Sequence, residues 1–268
     1  MCVTRLYASI ESIGREITWN SSDLKNFREN SFPKLRAAPV PPAGSMIAVE
    51  HLSKEYQHAA VLRDVTLSVN AGECYALFGA NGAGKTTLLR ILATLQRPSG
   101  GRFFLGGVDG VVQRDAARQL FSLIAHGSHH YDELTALENL YFSIRLHGAK
   151  PDEDACRTVL ERVGLGDFAV SRVRVFSSGM KKRLAFARAM LLRPAILFLD
   201  EPYAALDESG MALINTFLAE HSDAGGTVFM TSHNRFMTAQ VAHRVGIMEG
   251  GCVNEMGVAE MRRRHELF

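Results

Sequence analysis

A glycine-rich segment between an apolar strand and a helix constrains this fold more than any other feature of the chain. Residues Gly79–Thr87 satisfy the pattern G-x-x-x-x-G-K-S/T. The preceding residues, Cys74–Phe78, are apolar and of strand length, and Thr86–Leu95 are apolar at helical spacing. A strand, a glycine loop and a helix in this order predict a phosphate-binding loop in an α/β fold.

Each part of this loop has a chemical task in binding a nucleotide. The glycines let the backbone direct successive N–H groups at phosphate oxygens, and the N-terminus of the following helix adds partial positive charge. Lys85 is predicted to place a full charge on the β- and γ-phosphates, and the Thr86 hydroxyl is predicted to bind Mg²⁺. The loop residues predicted to bind ATP are Gly79, Ala80, Asn81, Gly82, Ala83, Gly84, Lys85, Thr86 and Thr87.

Two adjacent acids follow a second apolar segment. Residues Ile196–Leu199 are typical of a strand buried in a parallel sheet, and Asp200 and Glu201 come directly after it. Alone, an acid at the end of a strand is more often structural. Together with the phosphate-binding loop, Asp200 is predicted to hold Mg²⁺ through its water shell, and Glu201 to orient or deprotonate the attacking water.

A short serine- and glycine-containing loop precedes a basic and then apolar helix. The loop is Phe176–Met180, and in isolation Ser-Ser-Gly before a helix is only a helix cap. Together with its position upstream of Asp200, this loop resembles the signature loop of ATP-binding cassette (ABC) ATPases, whose usual sequence is Leu-Ser-Gly-Gly-Gln. Ser177 and Gly179 match, whereas Phe176, Ser178 and Met180 depart from the pattern. The resemblance implies that Ser177 and Gly179 close over the γ-phosphate of ATP held by a second subunit.

Three further residues follow the order of the ABC family. Tyr56 matches the aromatic residue that stacks on adenine, Asp207 matches the D-loop aspartate at the dimer seam, and His233 matches the switch histidine. The resemblance implies that His233 contacts the γ-phosphate and braces Glu201. In isolation, a tyrosine or a histidine at these positions is more often structural.

One position departs from the family in a way that bears on the metal. The family places a glutamine eight residues before the segment Leu-Thr-x-x-Glu-Asn, and this chain has His126 there, ahead of Leu134–Asn139. Imidazole is a poorer ligand for Mg²⁺ than an amide oxygen. Whether His126 contacts the metal directly is left open at this point.

Residues 125–148 also resemble the ATPase subunit of the haem exporter of cytochrome c maturation. Glu133–Leu140 and Arg145–Gly148 carry this resemblance. Drug- and polysaccharide-type exporters share the Ser-Ser-Gly-Met form of the signature loop, so they remain alternatives.

The resemblance implies the architecture of an ABC-type P-loop NTPase. It predicts an α/β fold with a RecA-like core, an antiparallel β subdomain and a helical signature subdomain at about 127–176, all within an ATP-binding domain at 46–268. Residues 1–45 are polar and weakly patterned, and they end in a proline-rich stretch. They are interpreted either as a poorly ordered extension or as the result of a start codon assigned too early, with Met46 the first residue.

Composition bounds the partners. The formal net charge is +2, from 30 basic and 28 acidic residues, so no nucleic-acid partner is expected. Four cysteines without zinc-like spacing predict reduced thiols. No apolar run approaches the ~20 residues of a membrane helix, and no signal peptide is evident. The sequence predicts a soluble subunit at the cytoplasmic face of the inner membrane, peripheral through an integral permease.

The sequence features bear on three classes of function. The favoured one is an ATP hydrolase that energises an exporter as a head-to-tail dimer with a second ABC ATPase copy. A non-transport ABC ATPase of translation or repair is disfavoured, because those proteins resemble tandem cassettes or carry a long coiled coil. A P-loop kinase or GTPase would lack the signature loop and the switch histidine. The sequence does not choose between a homodimer and a heterodimer.

Overall fold

Two β-sheets organise the part of the chain that the structure describes. The structure is a computed structural model, and it describes residues 44–257 except positions 58, 126, 128 and 129. Nearly all of the predicted N-terminal extension therefore lies outside the described residues, and the predicted domain limits remain predictions.

The first sheet is antiparallel. It contains β1 (Ser45–Tyr56), β2 (Ala59–Asn70), β4 (Gly100–Leu105) and β5 (Val108–Asp109), in the order β2-β1-β4-β5. The pairing of β1 with β2 shifts register several times, and His51 within β1 has a positive φ of 51°. These irregularities interrupt the alternation of side chains expected of a regular strand.

The second sheet forms the centre of the fold. Its strands are β3 (Cys74–Phe78), β6 (Phe121–Ile124), β7 (Ile196–Asp200), β8 (Thr227–Thr231), β9 (Arg244–Glu249) and β10 (Cys252–Met256), in the order β10-β9-β3-β8-β7-β6. All neighbouring pairs are parallel except β10 with β9. This sheet beside the antiparallel one confirms the predicted α/β class.

Helices cover the parallel sheet. In chain order they are α1 (Lys85–Leu92), α2 (Arg114–Arg118), α3 (Ala136–Leu146), α4 (Glu153–Arg162), α5 (Ser178–Leu192), α6 (Glu208–Asp223) and α7 (Arg235–Val241). Two single-turn 3₁₀ helices, Gly166–Phe168 and Val173–Val175, precede α5. Within the described residues, none of the helices combines the length and the apolar character needed to cross a membrane.

The side chains of the parallel strands alternate between two hydrophobic cores. In β3, Cys74, Ala76 and Phe78 pack with residues of α3 to α6, while Tyr75 and Leu77 pack with α1 and the antiparallel sheet. Every residue of β3 and β8 is buried. Burial on both faces explains why these strands are almost continuously apolar in the sequence.

The loop before α3 contacts the N-terminal part of α5. Thr135 caps α3 through a reciprocal capping box with Glu138. Upstream of it, His130 Nε2 lies 2.8 Å from the carbonyl oxygen of Lys181 on α5. Because a carbonyl only accepts, the neutral imidazole carries its proton on Nε2. Burial lowers the pKa of His130 to about 4, against the opposing effects of this hydrogen bond and of Asp132.

Truncating the centre of β7 is expected to destabilise the fold strongly. Phe198 is fully buried, with its ring centroid 5.2 Å from that of Phe121 and 6.2 Å from that of Phe229. Phe198→Ala should lower the free energy of unfolding by ~3–5 kcal/mol, because it removes the ring and leaves a cavity. Urea denaturation measures the change. Val112→Ala, at a side chain 80% exposed, is the control and should stay within ~0.5 kcal/mol.

The titration of His130 tests the packing of its loop. The folded protein should keep this imidazole neutral, in the Nε2–H form, down to about pH 4. The unfolded chain takes up the proton near pH 6.5. Because only the unfolded state is protonated in this interval, the free energy of unfolding should decrease as the pH falls from about 6.5 to about 4. Long-range ¹H–¹⁵N NMR of the ring measures both the tautomer and the midpoint. A midpoint near 6.5 in the folded protein would show that the ring is solvated.

Candidate nucleotide-binding site

The glycine loop lies at the carboxyl edge of the parallel sheet, between β3 and α1. Gly84 is the residue at the N-cap of α1 and has a φ of 112°, which side chains strongly disfavour. A Cβ at Gly84 would lie 2.9 Å from the carbonyl oxygen of Val61 on β2. The backbone therefore takes this path only with glycine, and the loop opens towards solvent at the start of a helix.

Lys85 is held against the loop. It is only 7% exposed, and its Nζ donates hydrogen bonds to the carbonyl oxygens of Gly79 at 2.6 Å and Ala80 at 3.0 Å. Burial lowers the pKa of Lys85, while the nearby carboxylates of Glu201 and Asp200 act in the opposite direction. The ammonium group lies within the loop and at short range from both acids.

A cavity of about 930 Å³ adjoins the loop. Its volume is within the range of small-molecule binding sites. Its walls are the loop itself, the start of β2, the turn between β9 and β10, and residues that follow β8. Lining residues include Gly79, Asn81, Ala83, Val61, His233 and Gly250.

Asp200, at the end of β7, accepts hydrogen bonds from two hydroxyl groups. Thr231 Oγ1 donates to Asp200 Oδ1 at 2.7 Å, and Thr86 Oγ1 lies 3.4 Å from the same oxygen. The pairing of β7 with β8 sets Asp200 directly opposite Thr231. A carboxylate and a hydroxyl this close suit a hard cation such as Mg²⁺, whose other ligands would be phosphate and water oxygens. Within the described ranges, no group of three or more His, Cys, Asp or Glu side chains could hold a metal ion.

Glu201 and His233 lie in contact with each other after β7 and β8. The backbone N–H of His233 donates to Glu201 Oε2 at 3.0 Å, and His233 Nε2 lies 3.4 Å from Oε1. Glu201 has a positive φ of 50°, and its own N–H lies 3.2 Å from the carbonyl oxygen and 3.3 Å from Oγ1 of Thr231. The backbone thus fixes where the Glu201 carboxylate can point. The catalytic roles of the two residues remain predictions.

The signature loop forms the N-terminus of α5. Ser177 is the N-cap, and its Oγ accepts a hydrogen bond from the Met180 N–H at 3.2 Å. Ser177 and Ser178 are exposed. A Cβ at Gly179 would lie 2.7 Å from the carbonyl oxygen of Ala205, so this position packs closely on the loop after β7. The phosphate contacts of Ser177 and Gly179 remain predictions.

Asp207 is the N-cap of α6. Its Oδ1 accepts from the Gly210 N–H at 3.0 Å and from Arg183 Nη2 at 2.5 Å. The hydrogen bond from Ser209 and then the Arg183 guanidinium lower the pKa of Asp207. The side chain is largely exposed, as a residue at a dimer seam would be in the single chain.

Two further residues of the predicted site are Tyr56 and His126. The Tyr56 ring lies 5.0 Å from Lys54 Nζ, its hydroxyl accepts a hydrogen bond from Gln96, and it is 43% exposed. Among the described residues, Tyr56 does not line the cavity, and neither do Lys85, Asp200 and Glu201. His126 lies outside the described residues, so its metal contact stays a prediction.

Sequence reasoning missed two residues that contact the site. Thr231 has no role in the sequence predictions, although a hydroxyl at the end of a buried strand is a recognisable signal. Lys182 lies between Lys181 and Arg183 in the basic start of α5, and its Nζ donates to the carbonyl oxygen of Glu201 at 2.9 Å. Nothing in the local sequence separates Lys182 from its neighbours.

Comparison with known proteins identifies the family. Residues 62–204 match the sequence profile of the family described as ABC transporter. The cytochrome c biogenesis ATP-binding export protein CcmA of Pseudomonas putida strain GB-1 is 37% identical over 183 residues, which cover 68% of this chain and 87% of that protein.

Other relatives carry different names. The daunorubicin resistance ATP-binding protein DrrA3 of Streptomyces coeruleorubidus is 34% identical over 220 residues, covering 81% of this chain and 70% of that protein. The sulfate/thiosulfate import ATP-binding protein CysA of Mesorhizobium japonicum is 32% identical over 221 residues, covering 80% of this chain and 64% of that protein.

A solved structure described as the ATP-binding subunit of an ABC transporter superposes with a TM-score of 0.75. It is 27% identical, and the match covers 83% of this chain and 94% of that one. This likeness confirms the predicted P-loop NTPase fold. The chain belongs to the ABC transporter family, as an ATP-binding domain.

Proposed function

We propose that this chain is the ATP-hydrolysing subunit of an ABC exporter and that it powers transport through a separate membrane permease. One observation supports hydrolysis above all. The Glu201 carboxylate is bonded to His233 beside the lysine, threonine and aspartate of the phosphate site. A carboxylate fixed at that position can act on a water that attacks the γ-phosphate.

Different residues of the site have different roles in the proposed reaction. The loop N–H groups and Lys85 hold the phosphates, and Thr86 and Asp200 would hold Mg²⁺, which neutralises phosphate charge when bound. Glu201 orients the attacking water and accepts its proton, and His233 holds the Glu201 carboxylate in place. Tyr56 is proposed to stack on adenine, and His126 to lie near the metal.

The proposed working unit is a head-to-tail dimer with a second ABC ATPase. Ser177 is exposed at a helix N-terminus and would meet the γ-phosphate of ATP bound to the other copy. Asp207 would lie at the seam between the copies. The proposed assembly is peripheral, at the cytoplasmic face of the inner membrane.

For the cargo we propose haem, exported for cytochrome c biogenesis. The 37% identity to CcmA and the resemblance of residues 125–148 to that branch support this choice. The similarity to DrrA3 supports a second candidate, an exporter of a drug, lipid or polysaccharide. The similarity to an import protein leaves the direction of transport as part of the proposal.

Two substitutions separate ATP binding from hydrolysis. Lys85→Ala should abolish ATP binding, because it removes the cation that contacts the phosphates. Glu201→Gln should still bind ATP and accumulate as an ATP-dependent dimer, while turnover falls ~10²–10⁴-fold. A fluorescent ATP analogue, size-exclusion chromatography and phosphate release measure these properties.

Glu161→Gln is the matched control, since this glutamate is exposed and lies on the signature-subdomain helix α4. It should match the unsubstituted protein in all three assays. Unchanged turnover in Glu201→Gln would reassign the general base.

Co-purification tests the transport partner and the cargo. Tagged Glu201→Gln protein with ATP should retain an integral membrane permease after detergent solubilisation of native membranes. Partners of cytochrome c assembly are the result expected for haem export, and mass spectrometry identifies them. A permease of another type would keep the exporter and remove haem. Recovery on ribosomes or DNA would contradict transport.

A further inference from the structure

One lysine at the start of α5 is turned inward. Lys182 is only 6% exposed, whereas its neighbour Lys181 is partly exposed and forms an ion pair with Asp132 at 2.8 Å. Burying an ammonium group is unfavourable unless it is well bonded. Lys182 is therefore distinct from the basic surface run to which its sequence position assigns it.

The buried ammonium is bonded to the backbone of the proposed catalytic residue. Lys182 Nζ donates to the carbonyl oxygen of Glu201 at 2.9 Å. On the other side of the same residue, the Glu201 N–H faces Thr231. The Glu201 carbonyl oxygen also accepts from the Ala204 N–H at 3.3 Å, within the turn that follows. Lys182 is therefore the contact that ties this carbonyl oxygen to another element, α5, while the Glu201 N–H is tied to β8.

These hydrogen bonds bear on the position of Glu201, because its backbone has a conformation that non-glycine residues rarely adopt. Its φ of 50° lies in the left-handed region, which persists only where surrounding contacts impose it. Released from those contacts, the peptide would favour a negative φ. The Glu201 carboxylate would then leave the position next to His233.

Two flanking contacts join the same segments. Gly179 packs on the Ala205 carbonyl oxygen, and Arg183 pairs with Asp207. Together with Lys182, they bind the first turns of α5 to the loop 201–207 at three places. The signature loop and the proposed general base are therefore parts of one connected unit within the chain.

We propose that Lys182 is a positioning residue for Glu201, and that its hydrogen bond to the Glu201 carbonyl oxygen maintains the left-handed backbone that places the carboxylate beside His233. The inference rests on the proposed role of Glu201 as general base. Lys182 itself touches neither the nucleotide nor the attacking water in this mechanism.

Three variants test the hydrogen bond. Lys182→Met keeps the length of the side chain but has no donor, Lys182→Gln keeps a neutral donor, and Lys181→Met is the matched control on the same helix turn. Lys182→Met should lower kcat ~10–100-fold with KM and ATP binding within ~3-fold, because misplacement of a catalytic group affects the chemical step. Lys182→Gln should recover most of the kcat, and Lys181→Met should match the unsubstituted protein.

A double-mutant cycle separates positioning from general stability. If Lys182 acts only through Glu201, then Lys182→Met combined with Glu201→Gln should have the same residual turnover as Glu201→Gln alone. A further multiplicative loss would overturn the proposal. So would an unchanged kcat in Lys182→Met, or a Lys182→Met protein that does not fold, since the lysine would then serve stability.

A different set of rates is expected if Glu201 is not the general base. In that case Glu201→Gln itself would turn over ATP at the unsubstituted rate, whatever Lys182→Met does. The thermal unfolding midpoint of every variant, measured in parallel, shows that the rates are compared between folded proteins.

Discussion

Burial of the parallel sheet on both faces is the constraint on which the rest of this structure depends. Successive side chains of β3 and β7 enter opposite cores, so each strand must be apolar throughout and has no solvated face. Because the strands are parallel, their carboxyl ends lie at one edge. That edge receives the glycine loop after β3, Asp200 and Glu201 at β7, and Thr231 and His233 at β8.

The site is held together by contacts between those strand ends and α5. Asp200 is bonded to Thr231 across the sheet, and Glu201 lies between Thr231 and Lys182. Few of these bonds involve neighbours in the sequence. The left-handed backbone of Glu201 is held by hydrogen bonds to β8 and α5, and by one from Ala204 in the turn that follows. A movement of α5 would therefore reach Glu201 without passing through the nucleotide.

Much of the secondary structure was predictable, and the exceptions have identifiable physical causes. The predicted strand Cys74–Phe78 has the observed limits, and the basic and then apolar segment after the signature loop forms the predicted helix, α5. By contrast, α6 was not predicted, because its buried face includes the polar residues Asn215, His221 and Ser222. In β1, bulges interrupt the alternation of side chains that would mark a strand in the sequence. Local periodicity is a weak signal where tertiary packing buries polar side chains, or where a bulge shifts the register of a strand.

The sequence by itself determined the phosphate loop, the acidic pair and the signature loop, because each is a contiguous motif whose chemistry depends on residue type and spacing. It also determined the α/β class, since continuously apolar strands imply a sheet covered on both faces. Only the tertiary structure decided that Thr231 faces Asp200 and that Lys182, rather than Lys181, turns inward to Glu201. Those facts depend on strand register and on which side of α5 meets the sheet, and neither is encoded in a local pattern.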